Sequence, residues 1–347
     1  MSENTYLKWM AENTETQWCN DSGLKADYLP ALKSGAVGVT TNPPLSFEKL
    51  TTETETFGAK VEEIRKKFSG NEKVLELFRL LIPAIAADIY PIYEKTKGKT
   101  GYVRCQVAPR LSGDADAMLA MGKTISTFAK NVMVKIPGTK AGIYVLEELT
   151  ALGINTTPTV CVSVSQLIAT AQAHERGIAR AKKAGIPVPA STSAFVQGRL
   201  QDYLTVLNEE RGKPVSTEDL ENALIAALKR TYFLYKKEGY TQTIMPAAFR
   251  CARQVSELAG GTFEMTIHPN YQKQVSEAFA QGKIKTEKRI DAPVDQAAID
   301  RVLKALPEFS KAYEPDGMKP DEFDSYGGVV MTLDNFDKNG WQKLIAL

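Results

Sequence analysis

Histidine is the scarcest functional residue in this sequence. Only His174 and His268 are present among 347 residues. A multi-histidine metal centre is thereby excluded, and so is much of the usual imidazole acid–base repertoire. Cysteine is also sparse: Cys19, Cys105, Cys161 and Cys251 lie far apart with no CxxC pair, and three sit inside short apolar runs. That argues for reduced packing residues and against a disulfide framework or a zinc site. No apolar run approaches the ~20 residues of a membrane span. The first residues carry no basic stretch followed by an apolar one, so no signal peptide is expected and the location expected is cytoplasmic. An excess of one charge is missing too. The net charge of +2 gives no electrostatic case for a nucleic-acid or membrane partner. Linkers rich in Pro, Gly or Ser and internal repeats are absent.

What is present is an alternation of short apolar runs and helix-like stretches. A leading helix spans 5–13. Strand-like runs follow at 16–21, 35–42, 101–107, around Lys135, at 154–162, 186–195, 241–245 and 262–267, each closed by Gly, Pro or Asn. Helical stretches separate them, among them 48–68, 71–97, 250–259 and 293–313. Strands separated by helices imply parallel pairing through crossovers. Eight such units in this length predict a (β/α)₈ TIM barrel with an N-terminal helix. The expected division is one barrel domain over 1–313 and a C-terminal extension, helical and irregular, over 314–347 packed on it.

In such a barrel, chemistry belongs at the C-terminal ends of the strands. Those ends carry Asp21, Thr41, Asn42, Gln106, Lys135, Thr157, Thr159, Ser193, Arg199 and Arg250. Any one of them has an ordinary reading, since loops follow strands: Asp21 as a turn acid, Asn42–Pro43 as a turn pair, the arginines as surface or helix-start residues. Lys135, at the end of Val132-Met-Val-Lys-Ile-Pro-Gly-Thr139, has two readings. It either snorkels, with stem on apolar surface and head in water, or it is a Schiff-base former whose amine is freed by partial burial. A ring of polar strand ends converging on it favours the second. Along the strands, Asp21 and Cys19 share one face, as do Met133 and Lys135, and Thr157, Thr159 and Cys161.

Several blocks, taken together and in order, resemble the transaldolase family. Gly38-Val-Thr-Thr-Asn-Pro43 is similar to its Thr-Thr-Asn-Pro signature. Val132–Thr139 is similar to its lysine strand, and Gly153–Thr159 through Ser163-x-x-Gln166 to its fifth-strand block. Ser193-Ala-Phe-Val-Gln-Gly-Arg199 resembles Ser-Pro-Phe-Val-Gly-Arg with one insertion. Met245-Pro-Ala-Ala-Phe-Arg250 resembles Met-Gly-Ala-Ser-Phe-Arg, and Thr266–Pro269 takes the place of the eighth strand's end. The resemblance spans about 16–270 and leaves the tail and residues 174–189 unaccounted for.

The resemblance implies a metal-free, cofactor-free class I aldol enzyme that moves a dihydroxyacetone unit from a ketose phosphate, or another anionic sugar, to an aldose. By position it makes Lys135 the Schiff-base former, Asp21 the acid–base group and Thr159 a proton relay through water. Asn42 becomes a ligand of the dihydroxyacetone unit, with Thr41, Thr157, Ser193 and Phe195 lining the substrate. Arg199 and Arg250 become the phosphate clamp, whose guanidinium forks match phosphate oxygens. Three positions depart from the family: Gln106, Thr157 and Ala248. Gln106 replaces a catalytic glutamate, as in the related fructose-6-phosphate aldolases, which release free dihydroxyacetone. Phe195 points back to transaldolases, since those aldolases carry tyrosine there. Thr157 stands for an asparagine, although a shifted register puts Asn155 in that place. Ala248 replaces a phosphate-binding serine, which leaves a sulfonated sugar open as substrate. The alternatives are thus an aldolase, a sulfosugar transaldolase and a non-catalytic sugar-phosphate binder. Homo-oligomer formation stays open. Asn335–Gly340 resembles the start of a calcium loop, but Ala346 falls where the bidentate glutamate is needed. Tyr326-Gly327-Gly328 is expected to form a lid or a subunit contact.

Overall fold

Eight strands run parallel in the computed structural model, which describes residues 5–347: β1 (Gln17–Asn20), β2 (Val39–Thr40), β3 (Val103–Gln106), β4 (Val132–Pro137), β5 (Thr156–Thr159), β6 (Thr192–Val196), β7 (Thr243–Ala247) and β8 (Glu264–Ile267). One ladder has the order β5-β4-β3-β2-β1-β8 and a second joins β6 to β7. Single parallel bridges complete the ring, Thr156–Ser191 and Cys161–Phe195 between β5 and β6, and Ile244–Phe263 between β7 and β8. The result is a (β/α)₈ barrel, and each strand falls within or beside its expected run. Two buried apolar clusters surround the barrel. One holds β1 and the β5–β8 half with the N-terminal and late helices; the other packs the helix Gly70–Lys95 onto β2–β4.

Boundaries shift where proline acts. Pro43 and Pro44 close β2 and also open a helix, Pro43–Thr52, because the first helical positions need no N–H. Asn42 caps it: its Oδ1 accepts from the Leu45 N–H at 3.0 Å. The sixth strand begins at Thr192 and not at 186, since Pro187 and Pro189 cannot donate to a ladder. The helix expected over 293–313 is two, Gln296–Ala305 and Pro307–Tyr313, broken at Leu306, the residue before a proline.

The C-terminal segment is more helical than its Asp-, Gly- and Tyr-rich composition suggests. Gly327–Phe336 is an α-helix, Asp337–Trp341 a π-helical turn and Gln342–Ala346 a final short helix. Trp341 anchors it: the indole is buried, meets Phe78 edge-on at 5.6 Å and donates from Nε1 to Asn71. Arg110 holds Asp337 at 2.7 Å. Tyr326 is buried against Tyr203 and donates to the Glu308 carbonyl, so it packs on the helix Gln197–Glu210 and not into the mouth. The residues that reach the mouth are Asn335, Phe336 and Asn339.

Candidate active site

A cavity of about 370 Å³ opens at the C-terminal ends of the strands, lined among others by Asp21, Asn42, Lys135, Thr159, Arg199 and Arg250. A larger cavity, about 570 Å³, lies at the other end of the barrel among Tyr232, Tyr240, Thr243 and Thr262. The strand-end rule decides between them in favour of the smaller one.

Lys135 projects from β4 with 6% of its surface exposed, and its Nζ donates to the Thr41 carbonyl at 3.1 Å. Burial drives its ammonium down to about 8, assisted by the charge of Arg104 and opposed by Asp21. Two other deeply buried lysines provide the contrast. Lys49 is held by Glu53 at 2.6 Å, and Lys229 by Glu257 and two carbonyls. Lys135 lines the mouth and its bonded partner is a neutral carbonyl. A buried amine held by a neutral carbonyl at a cavity is in surroundings that disfavour its charged form.

Asp21 follows β1, and its Oδ1 accepts from the Thr40 hydroxyl at 2.6 Å. The Thr40 and Thr266 hydroxyls are in close contact. Thr40 gives its single proton to the carboxylate, so Thr266 donates to Thr40. This chain across β1, β2 and β8 holds the carboxylate at the mouth. Neither threonine was singled out from the sequence, although each precedes a strand-end motif residue.

The fifth strand leaves the barrel through Val160, a β-branched residue at φ 59°, directly after Thr159. Ala248 does the same at φ 58° after β7. Left-handed backbone at such residues is costly and tends to collect at functional sites. Gln166 staples the ends of β4 and β5, donating to the Gly138 and Val160 carbonyls and accepting from Val162 N–H.

The two arginines share one acid. Arg250 grips Asp202 with both edges of its fork, at 2.9 and 2.6 Å, and its third nitrogen donates to the Ala248 and Phe249 carbonyls. Burial works against this charge, but the Asp202 hydrogen bonds and charge outweigh it and the guanidinium is stabilised. Gly198 makes room for this turn: a Cβ there would stand 1.8 Å from the Ala248 oxygen and 2.6 Å from the Arg250 guanidinium. Arg199 is held more lightly, by Asn335 at 3.0 Å and Asp202 at 3.6 Å. Burial and then the neighbouring Arg250 charge disfavour its cation. An incoming anion relieves that repulsion, so Arg199 is the freer of the two donors.

The remaining expected residues divide. Asn42 lines the mouth with its oxygen committed to the helix cap, which leaves its amide donors for a ligand. Gln106 is in register with Lys135, fully enclosed, and neither amide atom has a hydrogen-bond partner among the described residues. Thr157 is in register with Lys135 on the other side, but its hydroxyl turns to Thr192 and the Met133 sulfur. Asn155 caps the Ala190 N–H at the barrel base, which removes the alternative register.

Three placements correct the expectation of a substrate-facing side chain. Thr41 turns its hydroxyl to the Arg104 carbonyl at 2.6 Å, and only its own carbonyl serves the site. Ser193 bonds Thr170 in the surrounding helix Val164–Lys183. Phe195 shares that outer face, because Ala194 and Val196 are the residues lining the cavity.

The chain matches the sequence profile of the family described as Transaldolase/Fructose-6-phosphate aldolase over residues 23–316. It is 29% identical to a transaldolase of Trichodesmium erythraeum over 309 residues, 83% of this chain and 80% of that protein. It is 25% identical to "Transaldolase 1" of Streptomyces coelicolor over 345 residues, 90% of each chain. The match to "Transaldolase 1" of Streptomyces avermitilis, 29% over 210 residues, spans 58% of this chain and about half of the relative, 54%.

Proposed function

Since this chain belongs to the transaldolase/fructose-6-phosphate aldolase family, we propose that it is a transaldolase-type transferase working through a Schiff base on Lys135. The observation that carries the reading is the buried, cavity-facing amine of Lys135, held by a carbonyl and shifted down to about 8. The neutral amine adds to the C2 carbonyl of a ketose phosphate, and loss of water leaves an iminium. The Asp21 carboxylate takes the C4 hydroxyl proton as the C3–C4 bond breaks. The bonding electrons pass into the iminium as an enamine, and an aldose phosphate leaves. The enamine then attacks an acceptor aldehyde, Asp21 returns the proton, and water releases the new ketose from Lys135. Thr159 lines the path by which water reaches the carbinolamine carbon, and Gln106 offers an amide that orients but does not accept a proton. Asn42 donates to a hydroxyl of the bound three-carbon unit.

Arg199, backed by Arg250, receives the anionic end of the sugar. Truncating Arg199→Ala removes a charge-assisted donor worth about 1.5–3 kcal/mol. KM for a phosphorylated ketose is therefore expected to rise by roughly 10- to 100-fold. KM for the same ketose without its phosphate stays within a few-fold, and steady-state kinetics on the two donors checks the difference. The transfer reading is tested by following donor consumption with and without an acceptor aldehyde. Turnover that stops without an acceptor supports it; sustained release of free dihydroxyacetone would replace it with aldol cleavage. Among the described residues no helix is long and apolar enough to cross a membrane.

A further inference from the structure

Directly beneath the mouth lies a layer that the proposed reaction does not use. Arg104 is fully buried inside the barrel, two residues before Gln106 on β3. Its guanidinium contacts the carboxylate of Glu264, itself 5% exposed and two residues before Thr266 on β8. It also donates to the Cys19 sulfur at 3.2 Å, two residues before Asp21 on β1. Cys19 in turn donates to Glu264 at 2.9 Å. Cys19 and Glu264 therefore sit one inward step below Asp21 and Thr266 of the mouth, and Arg104 one step below the enclosed Gln106.

The layer is built and not incidental. Gly38 leaves the space for the guanidinium, since a Cβ there would stand 2.8 Å from it and 3.0 Å from the Cys19 sulfur. The Arg104 carbonyl accepts from Thr41, whose own carbonyl accepts from Lys135. Barrel interiors are usually filled with Val, Ile and Leu. A buried ion pair adds no stability that a packed apolar layer would lack, because two ions must be desolvated. Arg104 Nε has no protein partner, so the pair is not even fully satisfied.

We propose that the Arg104–Glu264 pair is a charged floor that acts on Lys135: Arg104 pairs with Met133, two residues before Lys135 on the adjacent strand. This rests on the reading of Lys135 as the nucleophile. The anion of the pair belongs to β8, three strands beyond β3 in the ladder, whereas Arg104 stands on the strand paired with β4. The other groups around Lys135 divide between the two directions. Asp21 on β1 favours the ammonium, whereas Arg104 opposes it. Arg199, Arg250 and His268 stand across the same cavity. The Cys19 and Cys105 thiols are pushed up by burial and stay neutral. Arg104 is thus a positioning residue whose effect passes through Lys135.

The test uses cyanate, which carbamylates only a neutral amine, on the whole protein without any sugar. The extent of Lys135 modification against pH is read by peptide mass spectrometry. In Arg104→Met the inflection is expected to move up by roughly half to one pH unit, and in Glu264→Gln to move down by less. The double variant R104M/E264Q is expected to fall between the two single variants and above the parent. A purely structural role moves melting temperatures but gives no reason for opposite signs. Shifts of the same sign, or an unmoved inflection in a folded variant, would overturn the proposal. If one single variant fails to fold, the sign shown by the other against the double variant decides. Borohydride trapping of a ketose reports separately on the Schiff base. A moved inflection without a trapped adduct keeps the floor and removes the catalytic reading. An adduct with an unmoved inflection does the reverse.

Discussion

Lys135→Met is expected to lower the transfer rate by on the order of 10³-fold or more, because no other lysine among the described residues lines the mouth to form the imine that serves as electron sink. Without the iminium, the electrons of the C3–C4 bond have nowhere to go, and binding alone does not replace that. Methionine suits the site as a probe, since its unbranched apolar chain is close in volume to the lysine stem. Removing a buried amine whose partner is one carbonyl does not orphan a charged partner. The variant should therefore fold, which a thermal melt establishes before any assay. Lys135→Arg is expected to be equally inactive, since a guanidinium stays protonated and forms no imine. Transfer within ten-fold of the parent in either variant would move the nucleophile elsewhere.

Asp21→Asn is expected to separate the two halves of the chemistry. Asparagine keeps the shape and still accepts from Thr40, but it takes no proton from the C4 hydroxyl. Cleavage and transfer should fall by roughly 10²- to 10⁴-fold, the range for loss of a positioned acid–base group. Imine formation on Lys135 with dihydroxyacetone needs no C–C bond cleavage, so borohydride trapping should persist. Single-turnover kinetics beside trapping checks both at once. Loss of trapping and transfer together would assign Asp21 to imine formation or to the fold instead.

Much of this site was legible in the sequence, for a physical reason. A parallel barrel buries both faces of its strands, so each strand appears as a short apolar run closed by Gly, Pro or Asn, and the alternation with helices survives in the pattern. The polar residues that close those runs, Asp21, Asn42, Lys135, Thr159, Arg199 and Arg250, do meet around one cavity. What the pattern hides is which way a residue points where both neighbours are small or apolar. Thr192-Ser-Ala-Phe-Val196 offers no contrast between faces, and Ser193 and Phe195 were placed on the wrong one. Thr41 misled similarly, because its carbonyl and not its hydroxyl serves Lys135.

Long-range pairs were hidden as well. Arg104 and Glu264 are 160 positions apart, and each alone looks like a strand residue of no account. Alternation from Gln106 and Thr266 put both on the inward face, where a charge needs a partner. That was the signal available for finding them. The approach of Asn335, Phe336 and Asn339 to the mouth had no signal of this kind. It depends on Trp341 docking against Phe78 and Asn71, more than 200 residues earlier in the chain.

The central claim is that Lys135 forms the Schiff base. Its most direct test is incubation with dihydroxyacetone, reduction with borohydride, and peptide mapping by mass spectrometry. One reduced three-carbon adduct is predicted, on the peptide carrying Lys135, with trapping that rises as pH passes about 8. Absence of any adduct, or an adduct on a different buried lysine such as Lys49 or Lys229, would contradict it.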